Sequence, residues 1–232
     1  MQNLPFYVYL IFGVTVIITI WLFFKANHYS KKILLLLICW IVLQSMLALI
    51  GFYNHPNTIT ARFPLMVLPP LFFLLYGFTT KKGRGFIDKL DLPTLTLINI
   101  VRLPVELVLF WLFVHQLIPQ AMTFEGRNFD VFSGITAPLI FYWGFVKKTL
   151  NYKLILMWNI ICLILLMNVV TNAFLSLPGR YQQFGFERPN IGVGFFPFNL
   201  LPAFLVPVVL FSMLASIRQL IQKIKFAKLL PA

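Results

Sequence analysis

Acidic residues are scarce: Asp and Glu together number six, against nineteen Lys and Arg, in 232 residues. Charged residues of both signs make up only 11% of the chain, where soluble domains carry about 25%, so an ordinary water-exposed surface cannot be built from it. Cysteine is nearly missing as well. Cys39 and Cys162 each sit inside an apolar run, which excludes a disulfide framework and a zinc site. Catalytic signatures are lacking: there is no HExxH, no GxSxG and no phosphate-binding glycine loop. The acids are Asp88, Asp91, Glu106, Glu125, Asp130 and Glu187, with no paired aspartates inside an apolar run, so an intramembrane hydrolase is disfavoured. His28, His55 and His115 share no ligand spacing, and no metal or other cofactor is expected. No Lys or Arg precedes the first apolar run; a cleavable leader is therefore not expected, and the first helix should direct insertion.

Hydrophobic residues, by contrast, make up 60% of the chain, and its mean hydropathy is +0.88. A helix crossing the hydrocarbon layer of about 30 Å needs roughly 20 apolar residues, because lipid offers its backbone no hydrogen-bond partner. Apolar runs at 5–24, 33–53, 63–79, 96–117, 131–146, 154–175 and 196–217 predict an all-α protein with seven transmembrane helices. A formal net charge of +13 would suggest nucleic acid in a soluble protein. Here the bases cluster at the ends of apolar runs and no nucleic-acid motif accompanies them, so the expected partner is the lipid bilayer.

The bases alternate along the chain. Lys25, Lys31 and Lys32 form one dense connection; Lys81, Lys82, Arg84 and Lys89 a second; Lys147, Lys148 and Lys153 a third; and Arg218, Lys223, Lys225 and Lys228 the tail. The intervening connections hold only Arg62, Arg127, Arg180 and Arg188. The positive-inside rule makes the dense set cytosolic, with the N-terminus outside and the C-terminus in the cytosol of a cell that carries the chain in its inner or plasma membrane.

An internal repeat is also legible. HPNTITARFPLMVLPP precedes the third run and RPNIGVGFFPFNLLPA the seventh, matching Pro56, Asn57, Phe63 and Pro64 with Pro189, Asn190, Phe196 and Pro197. WLFFK at the end of the first run matches WGFVK at the end of the fifth. The chain thus reads as a three-helix repeat (1–80), a connecting segment with a linker helix (81–130) and a second three-helix repeat (131–232). A single linker span gives both triplets the same orientation, a parallel 3+1+3 arrangement.

Candidate site residues follow from polar groups inside apolar runs, where a charge costs about 2.5–3.5 kcal/mol on insertion scales. In NIVRLPVELVLF, Asn99, Arg102 and Glu106 fall on one helical face, and Pro104 between them withholds an N–H. Three readings stand: a structural Arg102–Glu106 ion pair, a substrate or proton site at Glu106, or a lipid-headgroup contact at Arg102. Asn168, Thr171 and Asn172 share a face of the sixth run, either for interhelical hydrogen bonds or for ligand contact. Pro64 and Pro197 suit a first helical turn, whereas Pro69, Pro70, Pro202 and Pro207 lie deeper, where they kink helices, free carbonyls and suit a gate. Asn57 and Asn190 read as turn or capping residues, or as part of the repeat.

TAPLIFYWGFVKKTLNYK, with a Pro-Leu inside the span followed by a basic turn, together with the seven-helix length and the 3+1+3 pattern, resembles the SWEET and PQ-loop transporter superfamily. The resemblance implies a small-molecule transporter or permease. Opsin-like proteins share size and topology, but FLVPVVLFSML offers no lysine midway along the last span, which excludes a retinal Schiff base. A small-molecule ligand and self-association are the partner expectations. A ligand sensor and an assembly partner for another membrane protein remain the alternatives.

Overall fold

A computed structural model describes residues 4–54, 59 and 61–229. All regular structure among them is helical. The helices are α1 (Phe6–Ala26), α2 (Lys31–Leu49), α3 (Pro64–Thr79), α4 (Lys81–Ile87), α5 (Leu92–Val114), α6 (Val131–Val146), α7 (Tyr152–Leu175) and α8 (Leu201–Ala227). By length and composition α1, α2, α5, α7 and α8 can each cross a bilayer, and α3 with α4, bent by 94°, supplies a sixth crossing if the pair counts as one. The helix α6 is apolar but shorter. These helices make the chain a multi-pass membrane protein.

Local chemistry sets the helix ends. The Asp91 carboxylate accepts from the Thr94 N–H at the start of α5, Asn151 accepts from Leu154 N–H at the start of α7, and Thr80 accepts from Gly83 N–H at the start of α4. Pro64 opens α3 at its first position. Inside α1, the buried Thr15 and Thr19 donate to the carbonyls of Ile11 and Thr15, so neither hydroxyl is left unpaired in the bundle interior.

One end of the bundle is basic and stitched together. Asp91 N–H donates to Ala26 O, the Arg218 guanidinium clasps both oxygens of Asp88, and Gln219 donates to the carbonyls of Ile87 and Leu90. The Arg218 hydrogen bonds hold the Asp88 carboxyl below the usual carboxylate range. At the opposite end the loops around 115–130 and 176–200 meet, with Gly192 N–H donating to Leu117 O, while Asn190 N–H closes the second loop on Ser176 O. The core lies between, around α5, and includes Phe12, Leu109, Leu112, Phe198 and Phe204.

The prolines do free carbonyls, and α2 takes up two of them. Pro207 has no N–H for the Ala203 carbonyl one turn earlier, and the Trp40 indole N–H donates to that oxygen at 2.8 Å. Pro69 likewise cannot serve Leu65 O, which accepts from Gln44 Nε2 at 3.4 Å. Trp40 and Gln44 stand four residues apart on one face of α2. Asn199 returns the tie by donating to Gln44 O, and Tyr53 donates to Gln44 Oε1. Between Pro202 and Pro207 the chain winds as a π turn, Leu201–Leu205. Trp40→Phe is expected to cost about 1–3 kcal/mol, the penalty for an unpaired buried carbonyl. In a Pro207→Ala background, where a backbone N–H returns, the same change should cost less; equal losses of thermal stability in both backgrounds would exclude this pairing.

Of the repeat residues, Pro56 and Asn57 lie outside the described residues. Phe63 precedes α3 and Pro64 begins it, whereas Phe196 and Pro197 sit in a non-helical turn ahead of α8, and Pro189 and Asn190 sit in the loop before that. Trp21 and Trp143 are both exposed, each four residues before a lysine.

Candidate functional site

A cavity of about 360 Å³ lies between α3, α5, α7 and α8, within the range of small-molecule sites. Leu71 of α3, Val105 and Leu109 of α5, Val170 of α7, and Leu205 and Val209 of α8 contribute to a wall that is almost wholly apolar. Leu68 of α3 and Met167 and Phe174 of α7 line it as well and are exposed along their helices. The opening is therefore lateral, between α3 and α7.

The polar part of the wall is Arg102, Glu106, Asp130 and Asn190. Each is buried, with exposures of 3%, 1%, 4% and 1%. Arg102 and Glu106 come from one face of α5, downstream of a 3-10 turn (Ile98–Val101) that tightens the helix ahead of Pro104. Asp130 sits immediately before α6. That helix can approach α5 closely because Gly134 has no side chain: a Cβ there would stand 2.6 Å from Leu103 N.

The ion pair expected between Arg102 and Glu106 does not form. Arg102 pairs instead with Asp130 in a bidentate clasp, Nε donating to Oδ2 at 2.6 Å and Nη2 to Oδ1. Nη2 also donates to Cys162 O at 3.0 Å, and Nη1 to Asn99 Oδ1 at 3.3 Å with the Met213 sulfur at 3.8 Å. All five guanidinium N–H groups are engaged. Glu106 is held differently: Oε1 accepts from Asn128 Nδ2 at 2.6 Å, while Oε2 has no partner. Asn128 in turn donates to Met122 O and accepts from Asp130 N–H, so one asparagine touches both acidic residues.

Among the other candidates, Asn99 supports Arg102 from within α5. Asn168, Thr171 and Asn172 are not part of the cavity wall; Leu166, Met167, Val170 and Ala173 of α7 are. Asn168 donates to Arg127 O, Thr171 to Met167 O and Asn172 to Asn168 Oδ1, so the three tie α7 to itself and to the 115–130 loop. Pro202 and Pro207 line the cavity on α8, whereas Pro69 and Pro70 lie on α3 beside it. Asn190 does not cap a helix; its Nδ2 donates to Ala173 O and its Oδ1 is unpartnered at the cavity wall.

Sequence reasoning does not single out Asp130 and Asn128, because both fall in the polar stretch 118–130 and pair with residues more than twenty positions away. The available signal is an acid directly abutting an apolar run, the pattern GRNFDVFSG. No family model, curated protein or solved structure matches this chain.

Proposed function

We propose that the protein is a seven-span membrane permease or carrier, N-terminus outside and basic end in the cytosol, that takes a hydrophobic small molecule from the bilayer into the cavity between α3, α5, α7 and α8. The observation that carries the reading is the lateral opening of an apolar cavity onto buried charged side chains, Arg102, Asp130 and Glu106. Ionisable residues at membrane depth are expensive and mark ligand or ion pathways by default. Prolines inside both α3 and α8, the two helices joined by α2, leave carbonyls without helical partners, and with the π turn of α8 they suit walls that move relative to one another. The parallel 3+1+3 pattern of the sequence motifs and the resemblance to SWEET and PQ-loop transporters favour transport over a purely structural role.

The test is binding of the apolar fluorophore N-phenyl-1-naphthylamine to the protein in lipid nanodiscs. Saturable fluorescence enhancement is expected from the native chain. Val170→Trp and, from the facing wall, Leu71→Trp should each fill the cavity and abolish it. Enhancement no greater than that of empty nanodiscs, or unaffected by both substitutions in folded protein, would overturn the proposal.

A further inference from the structure

The polar end of the cavity restricts what kind of head its ligand can have. Eight buried side-chain N or O atoms among the described residues have no hydrogen-bond partner. Two of them belong to residues of the cavity wall, Glu106 Oε2 and Asn190 Oδ1; the amide oxygen is an acceptor, and so is Oε2 in the carboxylate form that a cationic donor would pair with. The Asn190 orientation is fixed by its own amide, since Nδ2 is spent on Ala173 O. The Glu106 orientation is fixed by Asn128 on Oε1. The cavity's cation, by contrast, has nothing left to give: the five N–H groups of Arg102 go to Asp130, Cys162 O, Asn99 and Met213. Two carboxyl groups and one guanidinium thus belong to residues of the wall, where they are buried behind its apolar lining, and the atoms still lacking a partner are the Glu106 carboxylate oxygen Oε2 and the Asn190 amide oxygen Oδ1.

An unpaired buried acceptor is costly, and a donor brought in by a ligand removes that cost while an acceptor adds to it. An anionic head would meet Glu106 and Asp130 with no free donor to receive it. Resting on the functional reading above, we infer that the ligand is a hydrophobic molecule whose polar end donates hydrogen bonds and carries no negative charge, a primary alkylamine being its simplest form. The ammonium or amine N–H groups lie against Glu106 Oε2 and Asn190 Oδ1, and the alkyl body occupies the apolar remainder of the cavity. Recognition is non-covalent throughout.

Displacement of N-phenyl-1-naphthylamine from nanodiscs by three amphiphiles of one chain length separates the possibilities. Dodecylamine carries a cationic donor head, dodecyltrimethylammonium a cation without donors, and dodecanoate an anion. Dodecylamine is expected to displace the fluorophore at a concentration about tenfold or more below either of the others, the worth of one hydrogen bond to a charged group. Partitioning into lipid is removed by comparing each amphiphile between the native protein and Glu106→Gln in the same nanodiscs. The preference for dodecylamine should fall about tenfold in that variant and also weaken in Asn190→Ala. Dodecanoate displacing as well as dodecylamine, dodecyltrimethylammonium matching it, or a preference unchanged in Glu106→Gln would each overturn the inference while leaving the cavity a binding site. Failure of the fluorophore itself to bind would instead remove the reading on which the inference rests.

Discussion

Asp130→Asn is expected to lower the stability of the protein in detergent by about 3–5 kcal/mol, the loss seen when one member of a buried ion pair is removed. The cost arises on the partner. Arg102 is only 3% exposed, and its remaining contacts, Cys162 O, Asn99 Oδ1 and the Met213 sulfur, carry no charge to balance a guanidinium. An amide at position 130 could keep one hydrogen bond but would leave a net charge enclosed by helices. Replacing both residues, as Arg102→Met with Asp130→Leu, should recover most of the loss, because apolar side chains of similar size often serve a packed interior as well as an ion pair does. Glu106→Gln should cost much less, since the substituted amide still offers an oxygen to Asn128 Nδ2. Reversible unfolding followed by tryptophan fluorescence would give these values. A loss for Glu106→Gln as large as that for Asp130→Asn would show that Asp130 is not the sole counter-charge of Arg102.

Gly134→Ala should be the next most damaging single change, at about 1–3 kcal/mol for overpacking. The new methyl group would stand 2.6 Å from Leu103 N and 3.0 Å from Leu103 Cβ, and backbone cannot move aside as a flexible side chain can. Relief requires α6 to retreat from α5. Because Asp130 sits at the start of α6, that retreat pulls its carboxylate away from Arg102. The two substitutions therefore damage one contact by different routes. Their combined cost should fall short of the sum by about 0.5 kcal/mol or more, the scale of coupling between contacting residues. Full additivity in a double-mutant cycle would separate the glycine contact from the ion pair.

Much of the helical framework is legible in the sequence because apolar length is a strong constraint in lipid. The runs 63–79 and 131–146 nearly coincide with α3 and α6, and 154–175 with α7. The limits of α5 and α8 are harder to read. The expected span 96–117 begins four residues late because Asp91 caps the helix and Pro93 sits in its first turn, polar and proline signals that a hydropathy pattern ignores. The expected span 196–217 is shifted because Phe196–Asn199 form a turn and the helix continues through the basic residues Arg218, Lys223 and Lys225.

At the site, Arg102 and Glu106 stand out for a physical reason: charges are rare in such segments and must be compensated. What compensates them cannot be read from spacing. One helical face favours the pair Arg102–Glu106, while the observed partner arrives from the start of α6 through a glycine contact and is visible only once the helices are packed. Asn168, Thr171 and Asn172 share a face as their spacing requires, but which face looks into the cavity is a property of neighbouring helices.

The two side-chain ties from α2 have a consequence for how the chain is made. Trp40 leaves the ribosome early, yet the carbonyl it serves belongs to a residue 163 positions later. At roughly 5–20 residues per second, synthesis of that interval takes on the order of ten to thirty seconds. Throughout it the indole N–H is inside a nascent helix whose eventual acceptor on α8 has yet to be translated, while the acceptor of the Gln44 amide, Leu65 O of α3, arrives sooner. The second helix thus enters the bilayer with an obligation that the last one discharges. Until then the indole N–H lacks its native acceptor, and truncation before residue 203 deprives Trp40 of that partner for good.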